Sequence, residues 1–349
     1  MSRRKLTRQQ RWRVEKIQAE RAERAGRRAQ RDAEQLDAGT YGPERAGRVA
    51  AHFGRTLEVE APAADTDAFT RHRCHLRANL EGLVTGDHVI WREADDGSGV
   101  VVARGQRDSV LERPDARGQM RPVAANIDQI LIVIAAEPVP HPNLIDRYLV
   151  AAENTGIAPV LVLNKSDLLP DEGGELRELL ARYTALDYPL IEASARIDHG
   201  LVALHAQLHE RTSVFVGQSG VGKSSLIDRL LPEETLRIGA LSTESRKGKH
   251  TTTTARLYPL PRQGEPGAPR EGDLIDSPGI REFGLWHLDE QQIAEGFIEF
   301  RPFIGRCRFR DCRHREEPGC ALLEAVEQGD IHPARFASFQ RIRDDVANT

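Results

Sequence analysis

The rhythm of apolar and polar positions changes three times along the chain. Residues 1–37 hold only Leu6, Trp12, Val14, Ile17 and Leu36 as large apolar groups and show no strand alternation. A disordered or transiently helical arm is expected there. Between 45 and 113, short β-type runs at Gly47–Ala50, Thr56–Val59, His72–Leu76, Asp87–Trp91 and Gly99–Ala103 are separated by Gly, Asp and Pro turn signals. Five short strands in so little chain predict a small barrel, of the OB type common among nucleic-acid-binding modules. From about 121 the apolar runs become continuous and alternate with helical spacing. Strands are expected at 130–134, 159–163, 189–192, 213–216 and 273–275, with helices over 143–153, over 175–184 and from Ser225. That alternation implies a largely parallel sheet covered on both faces. Beyond about 282 the pattern is helical and Arg-rich, and no internal repeat is found.

Within the α/β stretch, Gly217-Gln218-Ser219-Gly220-Val221-Gly222-Lys223-Ser224 matches the phosphate-binding pattern G-x-x-x-x-G-K-[ST], and Ser225 opens the helix behind it. It lies between an expected strand and an expected helix, the context that a P-loop requires. The glycines let backbone N–H groups wrap a phosphate at a helix N-terminus. Lys223 would bridge the β- and γ-phosphates, and the Ser224 hydroxyl would ligate Mg²⁺.

Asn164-Lys165-Ser166-Asp167, just after a strand, points to the base. The Asp167 carboxylate can accept from guanine N1–H and N2–H₂, a pair that adenine does not offer. A buried carboxylate left unpaired by the wrong base discriminates strongly, which disfavours an ATPase. Asn164 can bind the base and brace the P-loop, and the Lys165 stem can cover the ring. Ser194 and Ala195 follow the next strand, where the Ala195 N–H can meet guanine O6.

Asp276-Ser277-Pro278-Gly279 supplies a third phosphate element. Asp276 would hold Mg²⁺ through water, and the Gly279 N–H would sense the γ-phosphate. Between it and the P-loop runs Gly248-Lys-His-Thr-Thr-Thr-Thr254, with Thr252 or Thr253 favoured as a further Mg²⁺ ligand. The residue after Gly279 is Ile280, whose aliphatic side chain cannot orient water. His250 is the nearest group able to do so, and two readings stay open: a group acting on water, or a solvated loop histidine. The base motif precedes the P-loop, the reverse of the usual order. The same sheet forms if the chain is circularly permuted.

Composition sharpens this picture in two places. The chain of 349 residues has a net charge of −4, yet residues 1–31 carry ten Arg and two Lys against three Glu. The arm is thus +9 on a body of −13, which suggests a polyanionic partner such as nucleic acid. Arg71, His72, Arg73, His75 and Arg77 place further cations on or near one barrel strand. No apolar run approaches the roughly 20 residues of a membrane span, and no secretory signal opens the chain, so a cytoplasmic protein without a membrane partner is expected.

The four cysteines carry the second point. Cys74 is isolated in a strand and reads as packing. Cys307, Cys312 and Cys320 fall with His314 inside 14 residues, a set of four N/S ligands suited to a closed, structural Zn²⁺ site. Arg306, Arg308, Arg310, Arg313 and Arg315 interleave these ligands, an arrangement suited to RNA phosphates.

In combination, N-K-S-D at 164–167, G-Q-S-G-V-G-K-S-S at 217–225, G-K-H-T-T-T at 248–253, D-S-P-G-I-R-E-F at 276–283 and the Cys/His cluster ending E-P-G-C-A resemble one family. It is the circularly permuted, ribosome-small-subunit-dependent GTPases known as RsgA or YjeQ, and the resemblance covers about residues 45–345. It implies an OB barrel, a permuted G domain and a zinc domain acting in late maturation of the small (30S) ribosomal subunit. It further implies slow GTP hydrolysis alone, faster hydrolysis on the subunit, and a catalytic role for His250. The expected division is a basic arm at 1–40, an OB-type RNA-binding domain at 41–115, a permuted P-loop α/β GTPase domain at 121–283 and a mostly helical zinc domain at 284–349. Expected partners are the 30S subunit with its 16S rRNA and GTP or GDP, for a monomeric chain. The alternative is an rRNA-binding structural module in which GTP turnover is incidental.

Overall fold

The computed structural model describes residues 41–347 apart from 55, 64–68, 78, 79, 81, 116, 170–173, 232–254, 263–269, 277–284, 286 and 287. The arm at 1–40 therefore lies outside the described residues, as do His250, Thr252, Thr253, Gly279 and Ile280. The chain forms two compact units, Met1–Gln106 and Arg107–Thr349.

In the first unit, all five expected strands form: β1 (Tyr41–Phe53), β2 (Thr56–Pro62), β3 (Phe69–Leu76), β4 (His88–Ala94) and β5 (Gly99–Arg104). β1 pairs antiparallel with both β2 and β4, β2 with β3, and β4 with β5. A parallel β3–β5 pair completes the circuit, so these strands close into a barrel. Alternate positions point inward, and Val49, Leu57, Val59, Cys74, Trp91 and Val101 fill the interior. The Trp91 indole fits because two neighbours lack a side chain. A Cβ on Gly47 would come within 3.0 Å of the ring, and one on Gly99 within 2.7 Å. Burial pushes the Cys74 thiol up to about 12, which keeps it a neutral packing group.

The cationic strand is partly neutralised from within. Register sets Arg71 against Glu60, and the Arg71 guanidinium lies 3.3 Å from that carboxylate. His72 lies 3.4 Å from Glu93. Arg73 and His75 are exposed.

The second unit begins with a hairpin of β6 (Val110–Pro114) and β7 (Met120–Ala125) that the apolar pattern did not indicate. Its main sheet follows the expected alternation. The elements are β8 (Gln129–Ala135), α1 (Pro142–Thr155), β9 (Ala158–Asn164), α2 (Glu175–Thr184), β10 (Leu190–Glu192), α3 (Val202–Leu208), β11 (Thr212–Val216), α4 (Lys223–Leu230), β12 (Arg256–Pro261) and β13 (Arg270–Asp276). Within this unit the strand order is β10-β9-β8-β11-β13-β12. Every neighbouring pair is parallel except β12–β13. β8 and β11 are buried along their whole length, as central strands covered on both faces must be. Parallel strands share a direction, so the chain leaves β8, β9 and β11 at one end of the sheet, where ligands bind in such folds.

The C-terminal helices are α5 (Glu290–Glu295), α6 (Ala321–Gln328) and α7 (Pro333–Ala347). Phe297, Phe300, Phe336 and Phe339 form their core together with Val150 and Ala151 of α1. Phe297 and Phe300 stack with centroids 4.8 Å apart, and Phe339 meets both edge-on. Arg335 of α7 is buried in this core. It binds Glu299 at 2.6 and 3.0 Å, closes on Asp146 of α1, and lies 4.5 Å over the Phe297 ring. Helix α1 thus belongs equally to the sheet and to the C-terminal helices.

Candidate nucleotide site and metal cluster

The base-side loop is built from the end of β9. Asn164 closes the strand, Lys165 turns the chain with φ 58°, and a short 3₁₀ turn carries Asp167. The Asn164 amide donates to the Val221 carbonyl at 2.8 Å and so ties this loop to the P-loop. The Lys165 ammonium does the same by donating to the Gly220 carbonyl at 2.9 Å, and it also donates to the Glu137 carbonyl, in the loop after β8, at 2.6 Å. The Ser194 hydroxyl donates to Asp167 Oδ1 at 2.5 Å and accepts from the Arg196 N–H at 3.1 Å, which fixes the carboxylate's orientation. Asn164, Lys165, Asp167, Ser194 and Ala195 all border one cavity of about 340 Å³ beside Gly222 and Ser225. Inside it, the Asn164 Oδ1 is buried without a hydrogen-bond partner among the described residues. A buried acceptor left over in a polar cavity fits a ligand that brings its own donors, as guanine does.

A second cavity, of about 600 Å³, opens over the P-loop between β11 and α4. Gly217, Gln218, Ser219, Gly220, Gly222, Lys223, Ser224 and Ser225 border it. Two glycines are required by close approach. A Cβ on Gly217 would lie 2.3 Å from the Val133 carbonyl oxygen, and one on Gly222 2.4 Å from Asn164 Nδ2; both have positive φ. Val221 is buried and anchors the loop in the core. Lys223 donates to the carbonyls of Gly217 and, at 2.7 Å, of Gln218. Asp276 ends β13 one residue beyond the Val214–Ile275 pair, which sets it beside the end of the P-loop strand. The bare backbone cradle, the lysine and the helix N-terminus fit an Mg²⁺-bound polyphosphate.

Four further residues border these cavities: Arg196, next to Ala195, and three that lie outside every motif. Asp228 and Arg229 reach the base cavity from α4, one turn beyond Ser225, where helical spacing alone was the available signal. Tyr148 reaches the phosphate cavity from α1 and read only as an apolar-face position.

The Cys/His cluster is preassembled. His314 Nδ1 lies 3.6, 3.6 and 3.3 Å from the Sγ atoms of Cys307, Cys312 and Cys320, and all four donor atoms fall within 4.8 Å of one another. Donors placed tetrahedrally at zinc bond lengths stand about 3.5–3.8 Å apart, so the set has the size of a zinc site. The Ala321 N–H points at the Cys307 sulfur from 3.4 Å. Glu317 holds the turn by accepting from the N–H groups of Arg313 and Arg315 at 3.0 and 2.7 Å. Those backbone hydrogen bonds lower its carboxyl pKa to about 2. The five interleaving arginines are all exposed.

The parallel sheet, the P-loop on its central strand and the base loop on a neighbouring one define a P-loop GTPase whose segments follow a permuted order. The family model for "RsgA GTPase" matches residues 104–286. The chain is 73% identical over 346 residues to the small ribosomal subunit biogenesis GTPase RsgA of Chromohalobacter salexigens, covering 99% of both chains. It is 54% identical to the protein of that name from Hahella chejuensis, covering 99% of this chain and 97% of that one. Among solved structures, YjeQ from Thermotoga maritima matches with a TM-score of 0.66 at 28% identity, over 88% of this chain and all of that one. YloQ, described as a circularly permuted GTPase, matches in fold with a TM-score of 0.65 at 23% identity, over 88% of this chain and 96% of that one. The chain belongs to the RsgA GTPase family, whose members are GTP hydrolases.

Proposed function

We propose that this chain is a GTP-switched assembly factor of the small (30S) ribosomal subunit, which docks on 16S rRNA and hydrolyses GTP to GDP and phosphate when the subunit stimulates it. Full-length identity of 73% to a small ribosomal subunit biogenesis GTPase is the observation that carries this reading. Asp167, oriented by Ser194, binds guanine; Asn164 and Lys165 close the base pocket against the P-loop. The 217–225 backbone and Lys223 hold the phosphates. Ser224, one of Thr252 and Thr253, and Asp276 through water would hold Mg²⁺, which would supply positive charge to the phosphates. Gly279 senses the γ-phosphate and His250 acts on the attacking water.

Zn²⁺ held by Cys307, Cys312, His314 and Cys320 fixes the arginine-bearing loop in one shape, ready for rRNA phosphates. The boundaries at 1–40, 41–115, 121–283 and 284–349 separate arm, barrel, G domain and zinc domain in this reading. The arm adds phosphate contacts, since it has twelve cations and a single aromatic residue, Trp12. Such a factor works as a cytoplasmic monomer, and no described helix is long and apolar enough to cross a membrane. The test is GTP hydrolysis by the full chain titrated with purified small or large subunits. Stimulation by small subunits alone supports the proposal, and a rate indifferent to both refutes it.

A further inference from the structure

Tyr148 is only 9% exposed, yet it borders the phosphate cavity together with Gln218, Ser219, Lys223 and Ser224. Buried tyrosine hydroxyls ordinarily find a partner. Tyr183, also buried, gives its own to Asp146 at 2.8 Å. The Tyr148 hydroxyl makes no hydrogen bond to a described residue, and it is not among the buried atoms that lack a partner, so its oxygen is open to solvent rather than sealed in the core. It is a donor without an acceptor, standing in a cavity whose other walls are shaped for phosphate oxygens.

Its place along the cavity narrows the choice of acceptor. The base and phosphate cavities share Gly222 and Ser225, so the part of the nucleotide nearest the base lies over those residues. Tyr148 does not border the base cavity. It belongs with the stretch that extends to Gly217, Gln218 and Ser219. Helix α1 holds the ring there from behind. Asp146, two residues earlier, is locked to Arg335, while Val150 and Ala151 are sunk in the aromatic core. Burial also raises the phenol pKa, which keeps the group a neutral donor.

The geometry points to Tyr148 as a further substrate-contacting residue, its hydroxyl donating a hydrogen bond to the terminal phosphate of GTP. GDP lacks that acceptor, so the contact favours the triphosphate. The inference rests on the GTP-binding reading of the same site.

The experiment is calorimetric titration of full-length wild type and Tyr148→Phe with Mg²⁺ and either a non-hydrolysable GTP analogue or GDP. Loss of one hydrogen bond to a charged oxygen weakens binding about tenfold. That loss is expected for the analogue alone, with GDP affinity and thermal midpoint unchanged. Tyr148→Leu, read the same way, repeats the selective loss. Unchanged affinity for the analogue, or an equal loss for both nucleotides, overturns the assignment. A wild type that binds neither nucleotide fails at the GTP-binding reading, and the Tyr148 contact falls with it.

Discussion

The guanidinium of Arg335 closes on the carboxylate of Asp146, 189 residues earlier in the chain, with both side chains at most 3% exposed. Glu299, 5% exposed, takes the other face of the fork. Burial works against the arginine's charge, but the hydrogen bonds that it donates to Glu299 and the charge of the Asp146 carboxylate outweigh it, and the pKa rises. Arg335→Met would leave two carboxylates buried without a counter-charge. A loss of about 3–5 kcal/mol is expected in denaturant unfolding of the second unit. Arg335→Lys should recover little, because a point charge cannot serve two carboxylates as a planar fork does.

Asp167→Asn should lose GTP affinity and gain affinity for xanthosine triphosphate. The amide can donate where the carboxylate only accepts, and xanthine offers an acceptor at the matching edge. Competition binding with GTP, ATP and xanthosine triphosphate reads the switch. Wild type that binds ATP as tightly as GTP would overturn the base-pocket assignment.

One zinc ion per chain is expected by metal analysis. Cys312→Ser, or chelation, should lower that content and expose the segment after residue 285 to protease while leaving GTP binding largely intact, since metal binding is coupled to local folding. Zinc-free protein with unchanged protease resistance would contradict it.

His250→Ala should reduce subunit-stimulated hydrolysis by about 10²–10⁴-fold, the range for a positioned acid–base group, with little change in GTP affinity. Single-turnover rates on small subunits measure this. An unchanged rate would move the role to an rRNA or ribosomal-protein group.

Much of this was legible in the sequence, for physical reasons that differ by element. The barrel strands and the parallel strands announce themselves by period, and the charged helix forms over 175–184 as its spacing predicts. β12 was hidden because Pro259 and Pro261 interrupt its apolar run, and the β6–β7 hairpin because Arg113, Pro114, Arg121 and Pro122 do the same. The neutralisation of Arg71 depends on register, and register is set by pairing across a turn that the pattern does not specify. The P-loop, the N-K-S-D motif and the Cys/His cluster were legible because each is a short local arrangement. Tyr148 and Arg335 act across the fold, and a linear reading sees them only as helix positions.

The P-loop strand is also the seam of the sheet. β11 pairs on one side with β8, where Ser213 meets Gln129 84 residues earlier, and on the other with β13, where Thr212 meets Asp273. Neither partner is local, so both pairings close long stretches of chain, a slow event by topology. During synthesis at about 5–20 residues per second, the base loop emerges on the order of ten seconds before β13 exists. The order of the segments thus acts as a timer: a nascent chain has made its base loop and P-loop before the strand that ends in Asp276 exists.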